Sequence, residues 1–101
     1  MTDYSVASGS INAAVGGEFM LRLKSTPTTG YVWEVHTLPE GVQLLGSDYE
    51  KPAHGIRPGD SVIHVFRFRA LTTGEHMITF ILKRQWESNA IESHTVTVHS
   101  N

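Results

Sequence analysis

Phe19-Met20-Leu21-Arg22-Leu23-Lys24 decides the fold class of this chain. In an extended backbone Phe19, Leu21 and Leu23 fall on one face and Met20, Arg22 and Lys24 on the other, a period of two that no helix can use. Such a segment buries its first set and leaves its charged pair in water, which is the signature of a half-buried β-strand. The pattern returns in Phe66 and Phe68 against Arg67 and Arg69, and in Val96 and Val98 against Thr95, Thr97 and His99. Ile78, Phe80 and Leu82 alternate with Met77, Thr79, Ile81 and Lys83, whose side is apolar enough to be partly covered. Tyr31-Val32-Trp33-Glu34-Val35 reads as a further strand.

Turn-forming residues separate these runs at Gly16-Gly17, 27–30, Pro39-Glu40-Gly41, 52–59 and Thr72-Thr73-Gly74. No apolar period of helical spacing is sustained. The expectation is an all-β chain of about seven to eight short strands in two packed sheets, each hiding one face against the other. Its predicted core is Phe19, Leu21, Leu23, Trp33, Phe66, Phe68, Ile78, Phe80, Leu82, Val96 and Val98. At ~1.5 to 3 kcal/mol for each large side chain buried, such a set offsets much of the ordering entropy of the chain.

With 101 residues and 40% hydrophobic content, the chain has material for one core, and residues 1–101 read as a single domain with no linker or repeat. There is no cysteine, so no disulfide, thiolate nucleophile or zinc-thiolate site is available. The net charge of −2 and the absence of any basic run longer than Lys83-Arg84 argue against nucleic acid as a partner. No stretch reaches the ~18 to 20 consecutive apolar residues of a membrane-spanning helix. The start, Met1-Thr2-Asp3-Tyr4-Ser5, lacks the basic head and apolar run of a signal peptide. A cytoplasmic or vesicular place is therefore expected, or secretion after loss of a leader.

Chemistry is poorly supported by these residues. His36, His54, His64, His76, His94 and His99 are scattered, with no pair at the spacing of a helical zinc motif, so no metal or other cofactor is expected. His64, lying on a strand, is open to a core or cross-strand place. Asp60, Ser61 and His64 can be assembled into a triad only on paper, since adjacency is not the geometry required and no Gly-x-Ser-x-Gly elbow exists. The chain is not expected to be an enzyme.

Recognition is better supported. In Thr26-Pro27-Thr28-Thr29-Gly30-Tyr31, Pro27 fixes its own φ and biases Thr26 toward extension, while Gly30 accepts the positive φ that reverses a tight loop. A stiff loop of this kind presents Thr28 and Thr29 with little ordering cost on binding. The stretch His54-Gly55-Ile56-Arg57-Pro58-Gly59-Asp60 is either a plain connector or a loop whose backbone approaches another surface closely. Trp86, beyond Arg84-Gln85, is either a lid folded over the end of the sandwich or an interface anchor, tryptophan and arginine being the types most enriched among energetic hot spots.

Taken in order, Thr26 to Tyr31, the glycine-containing stretch Gly55-Ile56-Arg57-Pro58-Gly59 and Arg84-Gln85-Trp86 resemble the three recognition loops of the chagasin family, small protein inhibitors of papain-like cysteine peptidases. The resemblance extends to Tyr31-x-Trp33 and to Gly74-Glu75-His76 opening the penultimate strand. Family members carry Asn-Pro-Thr-Thr-Gly where this chain has Thr26, and Arg-Pro-Trp or Arg-Pro-Phe where it has Gln85. In the middle loop they carry a Gly-x-Gly-Gly run that Gly55 to Gly59 match least well.

The resemblance implies an immunoglobulin-like β-sandwich whose loops after the second, fourth and sixth strands gather at one end. It further implies a reversible, tight-binding inhibitor with no catalytic residue of its own, and a monomer is expected because the fold needs no partner to complete its core. Thr28 and Thr29 would cover the peptidase nucleophile, and Gly30 would allow close approach. Trp86 would lie on an aromatic surface on the primed side, with Arg84 pairing acidic or carbonyl groups there. Gly55 to Gly59 would supply backbone hydrogen bonds on the non-primed side. The competing expectation is an immunoglobulin-like adhesion or assembly module that uses the same end, or a sheet edge, on another protein.

Overall fold

Every regular element among the described residues is a strand. The computed structural model describes residues 2–5, 9–25, 30–50, 62–84 and 86–101, the first four by backbone alone. The strands are β1 (Thr2–Ser5), β2 (Gly9–Ala13), β3 (Glu18–Ser25), β4 (Tyr31–Thr37), β5 (Val42–Glu50), β6 (Val62–Ala70), β7 (Gly74–Arg84) and β8 (Glu92–Ser100). They form two four-stranded sheets, ordered β1-β3-β6-β5 and β2-β8-β7-β4. β1 joins β3 and β2 joins β8 in parallel, and the other four pairings are antiparallel. The amino-terminal stretch thus contributes an edge to each sheet.

The alternation of β3 is realised residue by residue. Phe19, Leu21, Leu23 and Ser25 are buried while Lys24 is exposed. On the paired β6, Val62, His64, Phe66, Phe68 and Ala70 face inward, and Arg67 is exposed. Ile78 and Phe80 of β7 and Val96 and Val98 of β8 come from the opposite sheet. The two layers interlock through rings: Phe80 sits 5.1 Å from Phe66 and 6.1 Å from Phe68, and Phe68 stacks on Phe19 at 5.5 Å. Edge and tilted arrangements of this kind add to the burial of the rings themselves.

Ten of the eleven expected core residues are buried, and the eleventh, Leu82, is half-buried against the same cluster. Val42, Val62, Val65 and Ala70 complete the buried apolar set. Trp33 clamps the layers at one end, its indole Nε1–H donating to the Lys24 carbonyl of the other sheet at 3.0 Å. That bond satisfies the polar atom of a side chain only 5% exposed. The result is a two-sheet β-sandwich of the immunoglobulin-like kind with eight strands among the described residues, at the upper end of the expected number. The expected turn at 52–59 lies outside the described residues.

Register fixes where the connections emerge. Ser25 at the end of β3 faces Val62 at the start of β6, and Glu50 at the end of β5 faces Ile63. In the second sheet Tyr31 at the start of β4 faces Arg84 at the end of β7, and Leu82 faces Glu92 at the start of β8. Five residues join Ser25 to Tyr31, so the two groups of strand ends share one end of the sandwich. The connections after β3, β5 and β7 all leave from there. Counting from β3 as the second strand, they follow the second, fourth and sixth strands. At the other end the short turns are tied together by Gly16 N–H to the Ala70 carbonyl at 2.8 Å and Leu71 N–H to the Gly41 carbonyl at 2.8 Å.

Candidate functional site

Three sequence segments singled out for recognition leave from this one end, and the described part of it is built around Gly30, Tyr31, Arg84 and Trp86. Gly30 has φ +85°, the left-handed backbone anticipated for it, and turns the chain into β4. Tyr31 and Arg84, cross-strand partners, are in cation–π contact: the guanidinium carbon lies 4.4 Å from the phenol centroid. The same carbon lies 5.8 Å from the Trp86 ring. One cation is therefore within cation–π reach of two aromatic rings, one on a strand and one on the turn beyond it.

Trp86 is 72% exposed, the most exposed large apolar side chain among the described residues. It is not a lid over the core. Its ring edge instead rests above Gly30, so close that a Cβ placed there would meet Cη2 at 2.7 Å. The first and third segments thus touch through a glycine and a tryptophan, and the touch needs position 30 to have no side chain.

The turn carrying Trp86 is closed by Glu87. Its N–H donates to the Arg84 carbonyl at 3.1 Å, and its carboxylate Oε1 accepts from Arg84 Nη1 at 3.2 Å. Lys83 donates to the Glu87 carbonyl at 3.1 Å and lies 3.9 Å from Glu34 Oε2 on β4. Beyond the turn Ile91 N–H returns to the Leu82 carbonyl at 2.9 Å, where β8 begins. Sequence reasoning passed over Glu87, Lys83 and Glu34, although the three-residue interval from Arg84 to Glu87 is a spacing at which a turn brings opposite charges together.

Thr26, Pro27, Thr28 and Thr29 of the first segment, His54 and Gly55, Ile56, Arg57, Pro58 and Gly59 of the middle one, and Gln85 of the third lie outside the described residues. So do Asp60 and Ser61. His64 has the core place that was left open for it. It is 6% exposed, stacked between Tyr49 at 4.2 Å and Phe66 at 4.0 Å, with neither ring nitrogen hydrogen-bonded. Burial pushes its pKa down, and the nearby charge of Asp48 opposes that shift. Among the described residues no cluster of three or more histidine, aspartate or glutamate side chains could hold a metal ion.

Comparison with known proteins agrees with this fold. Among solved structures, the cysteine protease inhibitor EhICP2 from Entamoeba histolytica superimposes with a TM-score of 0.78 at 19% identity, covering 99% of this chain and 95% of that one. The solution structure of amebosin gives a TM-score of 0.78 at 27% identity, with 99% and 97% covered. PbICP-C, solved in complex with falcipain-2, gives 0.68 at 12% identity with 100% of each covered. No curated protein matches the sequence. The family model described as chagasin family peptidase inhibitor I42 matches residues 12–99. Spanning both sheets and all three segments that leave the same end, that match means the chain belongs to the chagasin family of peptidase inhibitors.

Proposed function

We propose that this protein is a reversible inhibitor of papain-like cysteine peptidases, and that it occludes the active-site cleft with the three segments leaving one end of the sandwich. The observation carrying this reading is the joining of Gly30 and Trp86 at that end in a chain of the chagasin family. The association of the similar PbICP-C with falcipain-2 supports a peptidase as the partner. Thr28 and Thr29 cover the catalytic cysteine, and Gly30 lets the backbone come close to it. Trp86 lies on the cleft wall on the primed side, and residues 55–59 supply backbone hydrogen bonds on the other side.

No bond is made or broken, so inhibition needs no nucleophile from this chain and is competitive with substrate. A total interface of ~1,600 Å² is normal for peptidase and inhibitor pairs, and a prearranged surface lets more of that contact appear as affinity. Steady-state hydrolysis of a fluorogenic peptide by papain and by a cathepsin L-like enzyme, titrated with this protein, is the direct test. Dose-dependent inhibition is expected, with Trp86→Ala weakening it by ~2 kcal/mol or more, the scale of a hot spot. Folded protein that leaves both enzymes active at micromolar concentration would overturn the proposal.

A further inference from the structure

Arg84 is the obvious charged contact for a peptidase surface, yet its surroundings give it another task. We infer that Arg84 is a positioning residue, acting on the partner through Trp86 and not by touching the partner itself. This rests on the inhibitor reading above. The guanidinium is held against the Tyr31 ring at 4.4 Å, faces the Trp86 ring at 5.8 Å, and bonds the Glu87 carboxylate at 3.2 Å. Arg84 is half-buried while Trp86 is exposed, so of the two the indole is the side chain more open to a partner.

The need for such a brace follows from the sequence. Gln85 in this loop does not restrict φ as a proline there would. Among the described residues, Gly30 is one wall for Trp86, whose side chain is otherwise largely exposed. An indole so placed samples several rotamers, and every rotamer other than the binding one dilutes the competent population. Arg84 supplies the second wall. Tyr31 fixes it from the strand, while Glu87 closes the turn and is itself held at its carbonyl by Lys83. The brace runs from β4 through Arg84 to Trp86, and the third segment is stiffened by charge.

A double-mutant cycle separates a brace from a contact. Inhibition constants against papain are measured for the parent, Arg84→Ala, Trp86→Ala and the double variant. If Arg84 acts through Trp86, Arg84→Ala weakens inhibition by roughly 5-fold or more in the parent and by less than about 2-fold once Trp86 is alanine. An equal loss in both backgrounds would identify a direct contact and overturn the inference. Arg84→Lys, which keeps the charge and loses the planar stack, is expected to recover only part of the loss.

A second readout needs no peptidase. In a Trp33→Phe background, where Trp86 is the single fluorophore of its type, Arg84→Ala and Glu87→Gln should both lower its anisotropy and raise its quenching by acrylamide. Unchanged anisotropy and quenching in Arg84→Ala would overturn the positioning role whatever the inhibition data say. Absence of inhibition by the folded parent would instead overturn the function proposed above, and the fluorescence result would then decide the positioning role by itself.

Discussion

Replacing Gly30 by alanine tests the site at its narrowest point. Two costs follow from the geometry. An L-residue at φ +85° gives up roughly 1 to 2 kcal/mol of backbone energy, so the turn is drawn toward other conformations and the competent one is depleted. The new methyl would also stand 2.7 Å from Trp86 Cη2, and the ring must withdraw by about 0.7 Å to reach ordinary contact. Strain and displacement together amount to ~2 kcal/mol or more, a factor of roughly 30 in the inhibition constant. Gly16 supplies the control. It has nearly the same φ, +81°, lies at the far end of the sandwich, and has nothing within 4 Å of an added Cβ. Gly16→Ala should therefore lose about 1 to 2 kcal/mol of folding stability, read by urea denaturation, and inhibit papain as the parent does. A folded Gly30→Ala protein that inhibits as tightly as the parent would refute both the turn geometry and the role given to its contact with Trp86.

Acid should weaken the fold through His64. Its folded pKa is lowered by burial, so between that value and the ordinary value near 6.5 the unfolded chain binds the extra proton. The stability it contributes is present above pH ~6.5 and is lost as pH falls toward the folded value, below which this loss stops growing. Urea midpoints at pH 7.5 and pH 5 should differ less in His64→Phe than in the parent, and an equal acid loss in the two proteins would contradict this account. Gly41→Ala should destabilise the opposite end: a Cβ there would overlap the His76 ring, whose Nε2 bonds the Thr72 carbonyl at 3.0 Å. A loss of ~1 to 3 kcal/mol in urea denaturation is expected, and an unchanged midpoint would show that the ring moves aside freely.

The strands that could be read from the sequence are those with one wet and one dry face. Phe19 to Lys24 and Phe66 to Arg69 advertise their period because the sheet exposes one side of each. β5 does not, for it runs Leu44-Leu45-Gly46 and slips register between Leu44 and Gly46, placing two apolar residues side by side at a bulge. β1 and β2 are short edge strands paired in parallel, β2 with a partner at the other end of the sequence, and nothing local announces such pairing. In the site, Gly30 and Trp86 were each visible as special residues, one for its φ and the other for its cost of exposure. Their contact was not visible, because 56 positions separate them and only the β4–β7 register brings them together. The role of Glu87 is hidden for a related reason: an acidic residue in a loop is ordinarily solvated, and its bond to Arg84 is set by the turn.

The parallel pairing of β2 with β8 also governs how the protein would respond to tension. Gly9 to Ala13 lie beside Val96 to Ser100 in the same direction, and bonds between Ala13, Val15 and Asn101 prolong the seam. A pull on the start of β2 against the end of β8 acts along both strands in opposite senses. The seam is then sheared, and its hydrogen bonds share the load and fail together, whereas a hairpin pulled at its open end parts one bond at a time. Gripped at Gly9 and at Ser100, the fold would therefore resist force through this seam, which acts as its mechanical clamp.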